Sequence, residues 1–311
     1  MALRKPFYLQ KKTLDLSSFV NEWVEENRLD EKYDINIRKY ENTLTFSLAR
    51  LRKSKIAKIP IDGISTSLMF KKITGCYFKN YDYINLTGKD CINRIDDVKR
   101  LLERFTSIDI IEVSEHKIVL KDMLNPKDLN IRTILHEMID LERVFFNELT
   151  KPDNNSKFFF AQSLDRNINK LTYLGYKALN YNLETLRHPE DVQRTILYWR
   201  ILAALEDVGD LLKRITRYLK SDKQHNPIIG DLIGEVRDYF FSVVSHIFGK
   251  KSAFEDKLDG YLMKKESLLR SFEQFISTMR DDLNLGLVLV QLFKDILGQI
   301  TTLIYVLIEF E

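Results

Sequence analysis

The feature that most constrains this fold is a long amphipathic helix predicted between His188 and Lys220. Its apolar residues recur at steps of three or four positions: Leu197, Ile201, Leu205, Val208, Leu212, Ile215 and Leu219. An α-helix completes a turn every 3.6 residues or so, and this spacing therefore places them all on one side. The chain must supply at least two further helices to cover that side.

An acidic group lies beside the apolar side of this predicted helix. Glu206 and Asp210 are one turn apart and point the same way, with Asp207 between them in sequence. Like charges at this spacing destabilise an isolated helix by about 0.2–0.5 kcal/mol, so a cation should compensate them. Lys213 and Arg214, three and four residues beyond Asp210, are the candidate ion-pair partners.

Gly209 lies inside the same helix, between the two acids. Glycine within a helix costs about 1 kcal/mol relative to alanine. Its presence predicts that another element packs closely against the helix at this point.

Composition favours a helical protein with more than one domain. With 311 residues, 44% of them hydrophobic, the chain can bury a sizeable core, and its length predicts two or three domains. Eleven Gly and six Pro are few for that length, which favours long helices. A net charge of +3 is too small to indicate nucleic-acid binding by itself.

Cysteine usage and hydropathy predict a cytoplasmic protein that does not span a membrane. Cys76 and Cys91 are isolated, so neither a disulfide framework nor a thiolate metal site is expected. The first twelve residues lack the apolar core of a signal peptide. The most hydrophobic segment, 283–310, is interrupted by Lys294 and Asp295, and its two uncharged runs are shorter than the roughly 20 residues that cross a bilayer. We therefore expect a buried core helix there.

Periodicity along the chain predicts three domains. Domain 1–58 should contain a strand at 7–10, a helix at 17–28, and strands at 33–39 and 43–48 that turn at Glu41 and Asn42. Domain 59–125 alternates helices and strands: helix 65–78, strand 83–86, helix 92–105, and strands 108–113 and 117–120. Domain 126–311 should be helical, with three helices in 126–222 (130–149, 157–186 and 189–220) and three in 223–311 (228–248, 251–279 and 283–310). Three helices followed by three more suggest an internal repeat.

The N-terminal segment carries an excess of positive charge. Residues 1–58 contain 13 Lys and Arg against eight Asp and Glu. A basic patch of this kind can contact phosphates of DNA, and the candidate contacts are Arg4, Lys5, Lys11 and Lys12. The alternative is that the basic run LARLRKSKIAK, 48–58, is a solvated connector.

The long helix resembles the signature helix of the PhoU family of phosphate-uptake regulators. The resemblance rests on the P-x-D-V pattern at 189–192 and on LEDVGDLLKRI at 205–215. In that family an E/D-x-x-x-D motif contributes ligands to surface clusters of metal ions. By resemblance, Glu206 and Asp210, with Asp207 where the family usually has Arg, would hold a divalent cation such as Fe, Mn, Mg or Zn, together with a neighbouring carboxylate such as Glu142 or Glu148.

Two further segments extend this resemblance to the other helices. SLDRNINKL, 163–171, is similar to the family's D-x-x-I-D-x-L element. The second signature position reads DILGQ, 295–299, and keeps the glycine but has Gln in place of the second carboxylate. We therefore expect one of the two family sites to be degraded.

The N-terminal part resembles the swapped-hairpin AbrB-type domain found before PhoU in archaeal fusions. The residues that carry the likeness are Trp23, Asn27, Leu29, Asp34 and Ile37, and the run IIEVSEHKIVLKDMLNP, 110–126, is similar to the same fusion family. The resemblance implies an α+β, mainly α protein with a small AbrB-like β unit, a small α/β unit and a PhoU-like pair of three-helix bundles. It also implies a homodimer, since the N-terminal strands cannot be covered within one chain.

Two functions follow as expectations. The first is a PhoU-like regulator that couples phosphate status to a phosphate transporter or a sensor kinase through protein contacts. The second is an AbrB-type DNA-binding transcription regulator whose helical domain senses a metal or phosphate. No serine, cysteine, histidine or acid constellation suited to catalysis is evident, so we do not expect an enzyme.

Overall fold

The computed structural model describes residues 25, 33–40, 43–50, 54–89, 91–151, 157–185, 189–221, 227–249, 254–278 and 283–309. The chain divides into two compact units, Met1–Ser54 and Lys55–Glu311. The described part is mainly helical, with one small mixed sheet of four strands and a separate hairpin, which confirms the α+β, mainly α prediction. The predicted boundaries at 58 and 125 stay a prediction.

The described part of the first unit is a β-hairpin. Strands β1 (Tyr33–Tyr40) and β2 (Thr43–Arg50) pair antiparallel, with Tyr40 opposite Thr43 across the predicted turn. Both predicted strands are therefore confirmed, each with one or two more residues. The predicted strand 7–10 and nearly all of the predicted helix 17–28 lie outside the described residues.

The second unit begins with a four-stranded sheet, in which β3 (Ile56–Pro60), β4 (Tyr83–Thr87), β6 (Lys117–Asp122) and β5 (Ile108–Ser114) lie side by side in that order. β3 and β4 are parallel, and the other two pairs are antiparallel. The interpretation of 48–58 as a solvated connector is wrong for its last residues. Ala57 and Ile59 alternate with exposed neighbours, so β3 buries one side like an ordinary strand.

Two helices complete this α/β part. Helix α1 (Thr66–Phe78) connects the parallel strands β3 and β4, and the Ser65 side chain caps it by accepting a hydrogen bond from the Leu68 amide. Helix α2 (Ile95–Leu102) is shorter than predicted, because residues 92–94 form a 3₁₀ turn before it. α1 buries Met69, Ile73 and Tyr77.

Six longer helices follow: α3 (Ile131–Thr150), α4 (Lys157–Thr185), α5 (Pro189–Ser221), α6 (Pro227–Val244), α7 (Leu258–Thr278) and α8 (Leu283–Glu309). Their starts carry ordinary signals: Asn130 caps α3 by accepting from the Arg132 amide, and proline begins α5 and α6. The predicted helices match these bounds except that α6 ends four residues early and α7 starts seven residues late.

The order of these helices is reflected in their contacts. α3, α4 and α5 each contact the other two, and so do α6, α7 and α8. The two sets meet through their first helices, α3 and α6, and through their third helices, α5 and α8. The apolar repeat of α5 lies at the centre, since Ile201, Leu205 and Val208 are completely buried.

A buried ion pair joins the α/β part to the helices. The Lys177 ammonium of α4 bonds the Asp122 carboxylate at the end of β6, with side-chain exposures of 1% and 4%. Asp122 also accepts from the Ser107 hydroxyl at 2.8 Å, and Lys177 lies 4.8 Å above the Tyr77 ring. Four described elements or loops are thus tied to one buried charge pair.

Helix α8 is long and apolar enough, by length and composition, to cross a membrane. Half of its most apolar 18-residue window is buried within the protein. It packs on α5, α6 and α7. This packing is that of a core helix, and the absence of a membrane span stays a prediction.

Candidate functional site

The site begins with a close crossing of α4 and α5. A Cβ placed on Gly209 would lie 3.1 Å from the Ile168 side chain, and one on Gly175 would lie 2.7 Å from both terminal carbons of Leu202. Each helix therefore places a glycine opposite an aliphatic side chain of the other, at two points seven residues apart. The predicted close packing at Gly209 is confirmed.

This crossing brings a third carboxylate to the predicted acidic pair. Asp165 of α4 lies three residues before Ile168 and interacts with both Glu206 and Asp210 of α5. Burial, followed by Asp210, Asp207 and Asp165, raises the pKa of Glu206 from 4.5 to about 7. Burial and the repulsion among these acids both favour the protonated form of Glu206.

Asp165 itself shows how this charge is balanced. Burial and its contact with the Asp210 carboxyl raise the pKa of Asp165, while the Lys213 ammonium opposes this rise. Lys213 of α5 makes an ion pair with Asp165 at 2.5 Å, with side-chain exposures of 24% and 10%. Lys213, one of the two predicted ion-pair partners, thus pairs across the helix crossing rather than with Asp210 on its own helix.

Asp207 lies at the outer side of the cluster. It is exposed, and burial followed by Asp210 raises its pKa. Tyr173 and Tyr176 of α4 border the acids, and after burial Glu206 contributes to the raised pKa of Tyr176. Their rings pack on Phe78, with centroids 5.6 and 5.4 Å away, so aromatic side chains fix this edge of the cluster.

The neighbouring carboxylates expected from the sequence do not join the cluster. Glu148 pairs with Lys151, the residue that follows α3. Glu142 is completely buried, burial alone raises its pKa well above the usual value, and neither of its carboxyl oxygens has a hydrogen-bond partner among the described residues. Asp165 takes their place, and the SLDRNINKL segment is the sequence signal that could have identified it.

Among the residues that the structure describes, no group of three or more His, Cys, Asp or Glu side chains is placed to hold a metal ion. Gly298, in the second segment that resembles the family motif, is less closely packed than Gly209. A Cβ on Gly298 would meet nothing within 4 Å, and Asp295 accepts a hydrogen bond from Gln291 at 2.8 Å. The two signature positions therefore differ in packing as well as in sequence.

A cleft with a volume of about 520 Å³ adjoins the acidic cluster. It lies between the end of α2 and the facing sides of α4 and α5, and its lining residues are Arg100, Glu103, Arg104, Gln162, Asp165, Arg166, Asn169, Tyr173, Lys213 and Arg217. Sequence reasoning missed this cleft. Lys213 and Arg217, one helical turn apart on α5, are the local signal that was available.

The candidate DNA contacts Arg4, Lys5, Lys11 and Lys12 lie outside the described residues. Comparison of the chain with models of protein families, with characterised proteins and with solved structures gave no match.

Proposed function

We propose that this protein is a PhoU-like regulator of phosphate uptake and phosphate signalling that acts through protein contacts in the cytoplasm. In this proposal the helical part, 126–311, is a pair of three-helix bundles (126–222 and 223–311). Residues 1–58 form an AbrB-like domain and residues 59–125 a small α/β linker domain. The partner would be a phosphate transporter or a sensor kinase, and the protein itself would catalyse no reaction.

The observation that carries the proposal is the paired arrangement of the long helices around the acidic cluster. Two sets of three helices meet first helix to first helix and third helix to third helix. The acids that resemble the family motif lie on the third helix of the first set, beside the glycine at the close crossing. The acids that resemble the family motif, Glu206 and Asp210, thus lie beside Gly209, one of the two glycines at which α4 and α5 pack closely.

The acidic cluster has the chemistry to hold a divalent cation. The side chains of Asp165, Glu206 and Asp210 would have to turn towards one another to bind it, since no group of three described acids is placed to hold a metal ion. Their oxygen ligands would suit Mg, Mn or Fe better than a thiolate-loving ion. Burial raises the pKa of Glu206 most, and a cation among the acids would neutralise the repulsion that adds to this rise. It would have to displace the Lys213 ammonium from Asp165, so the cation and Lys213 are alternatives.

A thermal-shift experiment tests the metal part of the proposal. We expect millimolar Mg, Mn, Fe or Zn to raise the melting temperature of the wild type, because a ligand that binds only the folded state stabilises it. The Glu206→Gln and Asp210→Asn double variant should lose this response. A wild type that does not respond to any of these metals would leave Lys213 as the only cation of the cluster.

Phosphate uptake by the source organism tests the regulatory part. We expect deletion of the gene to leave uptake insensitive to external phosphate, and expression of the wild-type chain to restore the response. Unchanged uptake and unchanged phosphate response in the deletion strain would contradict the proposal, whatever the metal experiment shows.

A second candidate is an AbrB-type DNA-binding regulator, favoured by the hairpin and the basic excess of the N-terminal segment. Two observations support it: β1 and β2 pair as the resemblance implies, and 1–58 carries 13 cations against eight acids. If this segment binds duplex DNA, affinity should fall steeply as salt rises between about 50 and 200 mM, because phosphate contacts release counterions. Binding that is absent at low salt would leave the adaptor function alone.

A further inference from the structure

The cleft between α2, α4 and α5 is strongly cationic. Five of its ten described lining residues are Arg or Lys, and Glu103 and Asp165 are the only acids among them. Asp165 is already paired with Lys213. We propose that this cleft binds a small anion that carries two or more phosphoryl groups, either an inorganic polyphosphate or a nucleoside polyphosphate. This goes beyond the proposed regulatory function and does not depend on it.

Two guanidinium groups in the cleft are free to bind a ligand. Arg166 of α4 and Arg217 of α5 are exposed, and neither makes a hydrogen bond or ion pair with any other described residue. Arginine binds phosphoryl oxygens with two parallel hydrogen bonds, which lysine cannot do. Two arginines without partners among the described residues, on the two helices that border one cleft, can therefore bind two phosphoryl groups of one molecule.

Three other side chains that line the cleft are oriented by contacts with residues outside it. The Arg104 guanidinium lies 4.6 Å above the Phe70 ring, and Arg100 pairs with Asp97 on its own helix. Tyr173, which also lines the cleft, packs on Phe105 with ring centroids 5.5 Å apart. Groups that are already oriented lose less entropy when a ligand binds, which raises affinity.

The dimensions of the cleft favour a ligand larger than one phosphate ion. A volume of about 520 Å³ lies within the usual range for sites that bind small organic molecules. Arg100 and Arg104 belong to the α2 side of the cleft, whereas Arg166 and Arg217 belong to α4 and α5. Cations that come from three separate elements can contact more than one phosphoryl group of a chain.

Calorimetric titration of the full-length protein at fixed salt tests this proposal. The probes are tripolyphosphate, ATP, orthophosphate and sulfate. The test variant is Arg166→Gln with Arg217→Gln, whose side chains are exposed and make no hydrogen bond or ion pair with described residues, so its melting temperature should stay close to that of the wild type. The matched control is Arg194→Gln with Arg214→Gln, which removes the same charge from exposed positions of α5 that do not line the cleft.

We expect the wild type to bind tripolyphosphate or ATP at one site per chain and to bind orthophosphate and sulfate much more weakly. The cleft variant should lose at least about tenfold in affinity, the factor that corresponds to one charge-assisted hydrogen bond. The control variant should keep the wild-type affinity. If ATP binds tightly and tripolyphosphate does not, the ligand is a nucleotide. If tripolyphosphate binds tightly and ATP does not, the ligand is an inorganic polyphosphate.

Three results would overturn the proposal. The first is the absence of binding of tripolyphosphate and ATP at millimolar concentration. The second is an equal loss of affinity in the cleft and control variants, which would indicate attraction to overall charge. The third is an affinity for orthophosphate equal to that for the larger anions.

Discussion

Gly175 and Gly209 set the distance between α4 and α5, and of these two only Gly175 has no room at all for a methyl group. A Cβ at position 175 would lie 2.7 Å from both terminal carbons of the completely buried Leu202, which is closer than van der Waals contact allows. Overpacking of this kind costs about 1–3 kcal/mol, which exceeds the gain of about 1 kcal/mol in helix propensity. We therefore expect Gly175→Ala to lower the free energy of unfolding.

Gly298 supplies the matched control, because it lies inside α8 with nothing within 4 Å of its Cβ position. Gly298→Ala should raise the free energy of unfolding by about 1 kcal/mol through helix propensity alone. Urea denaturation followed by circular dichroism measures both variants. A Gly175→Ala protein as stable as Gly298→Ala would show that the crossing is looser than described.

Glu206 should make stability depend on pH in an unusual direction. Its carboxyl has a pKa of about 7 in the folded protein against an ordinary value of 4.5, since burial, Asp210, Asp207 and Asp165 oppose its charge. Between these two pH values the folded state holds a proton that the unfolded chain has lost. The contribution of this group to stability is therefore present below about pH 4.5 and is lost as pH rises to about 7.

Glu206→Gln removes that pH dependence. In buffer with a chelator, the variant should melt at a higher temperature than the wild type at about pH 8, and the difference should shrink towards about pH 5. Glu273→Gln, at an exposed position of α7, is the control and should show no such trend. A wild-type advantage at the higher pH would mean that a cation other than a proton compensates Glu206.

At the scale of secondary-structure elements, the Lys177–Asp122 pair decides how firmly α4 holds the sheet. Lys177→Met should destabilise the protein by about 3–5 kcal/mol, because it leaves the buried Asp122 carboxylate without its counter-charge. Lys55→Met is the matched control. It removes the pair between Lys55 and Glu184, whose side chains are 37% and 46% exposed, and should cost about 0–1 kcal/mol.

Thermal and urea denaturation of the two variants separate these cases. If both variants lose the same free energy of unfolding, the distinction between a buried and a solvated ion pair is wrong. Hydrogen exchange shows where Lys177→Met loses protection. If only the strands lose protection and the helices keep it, the sheet opens independently of α3–α8.

Local sequence signals predicted most helices and strands. They failed where an element depends on contacts with residues far away in the sequence. The strand at 83–86 and the helices that begin near Ser65 and Asn130 were predicted because each depends on a pattern among neighbouring residues. Strand β3 was missed because its five residues follow a basic run, and only pairing with β4 reveals it.

The difference between local and distant contacts also explains which site residues could be predicted from the sequence. Glu206, Asp207 and Asp210 share one helix, and their spacing alone groups them. Asp165 and the basic cleft depend on the register between α4 and α5, which the glycines fix and which no periodicity within one helix discloses.

At the scale of the whole molecule, the pairing of like helices makes the two halves of the helical part interdependent. α5 contacts α4 and α8 alike, so the helix that carries the acids also joins the two sets. A ligand at the acidic cluster or in the cleft would contact a helix that also packs on α8. This places the candidate site where binding can reach both sets of helices.

The N-terminal hairpin leads to the prediction that the full chain is a dimer. Among the described residues of its unit, β1 and β2 pair only with each other, and a hairpin of two eight-residue strands is marginally stable alone. Pairing with a second copy would cover the outer strand edges. Sedimentation equilibrium of the whole protein should give about twice the chain mass of 36.8 kDa. A fragment of residues 55–311 should sediment with the mass of one copy of that fragment. A monomeric full chain at micromolar concentration would contradict the prediction, and a dimeric 55–311 fragment would assign the interface to the helical unit.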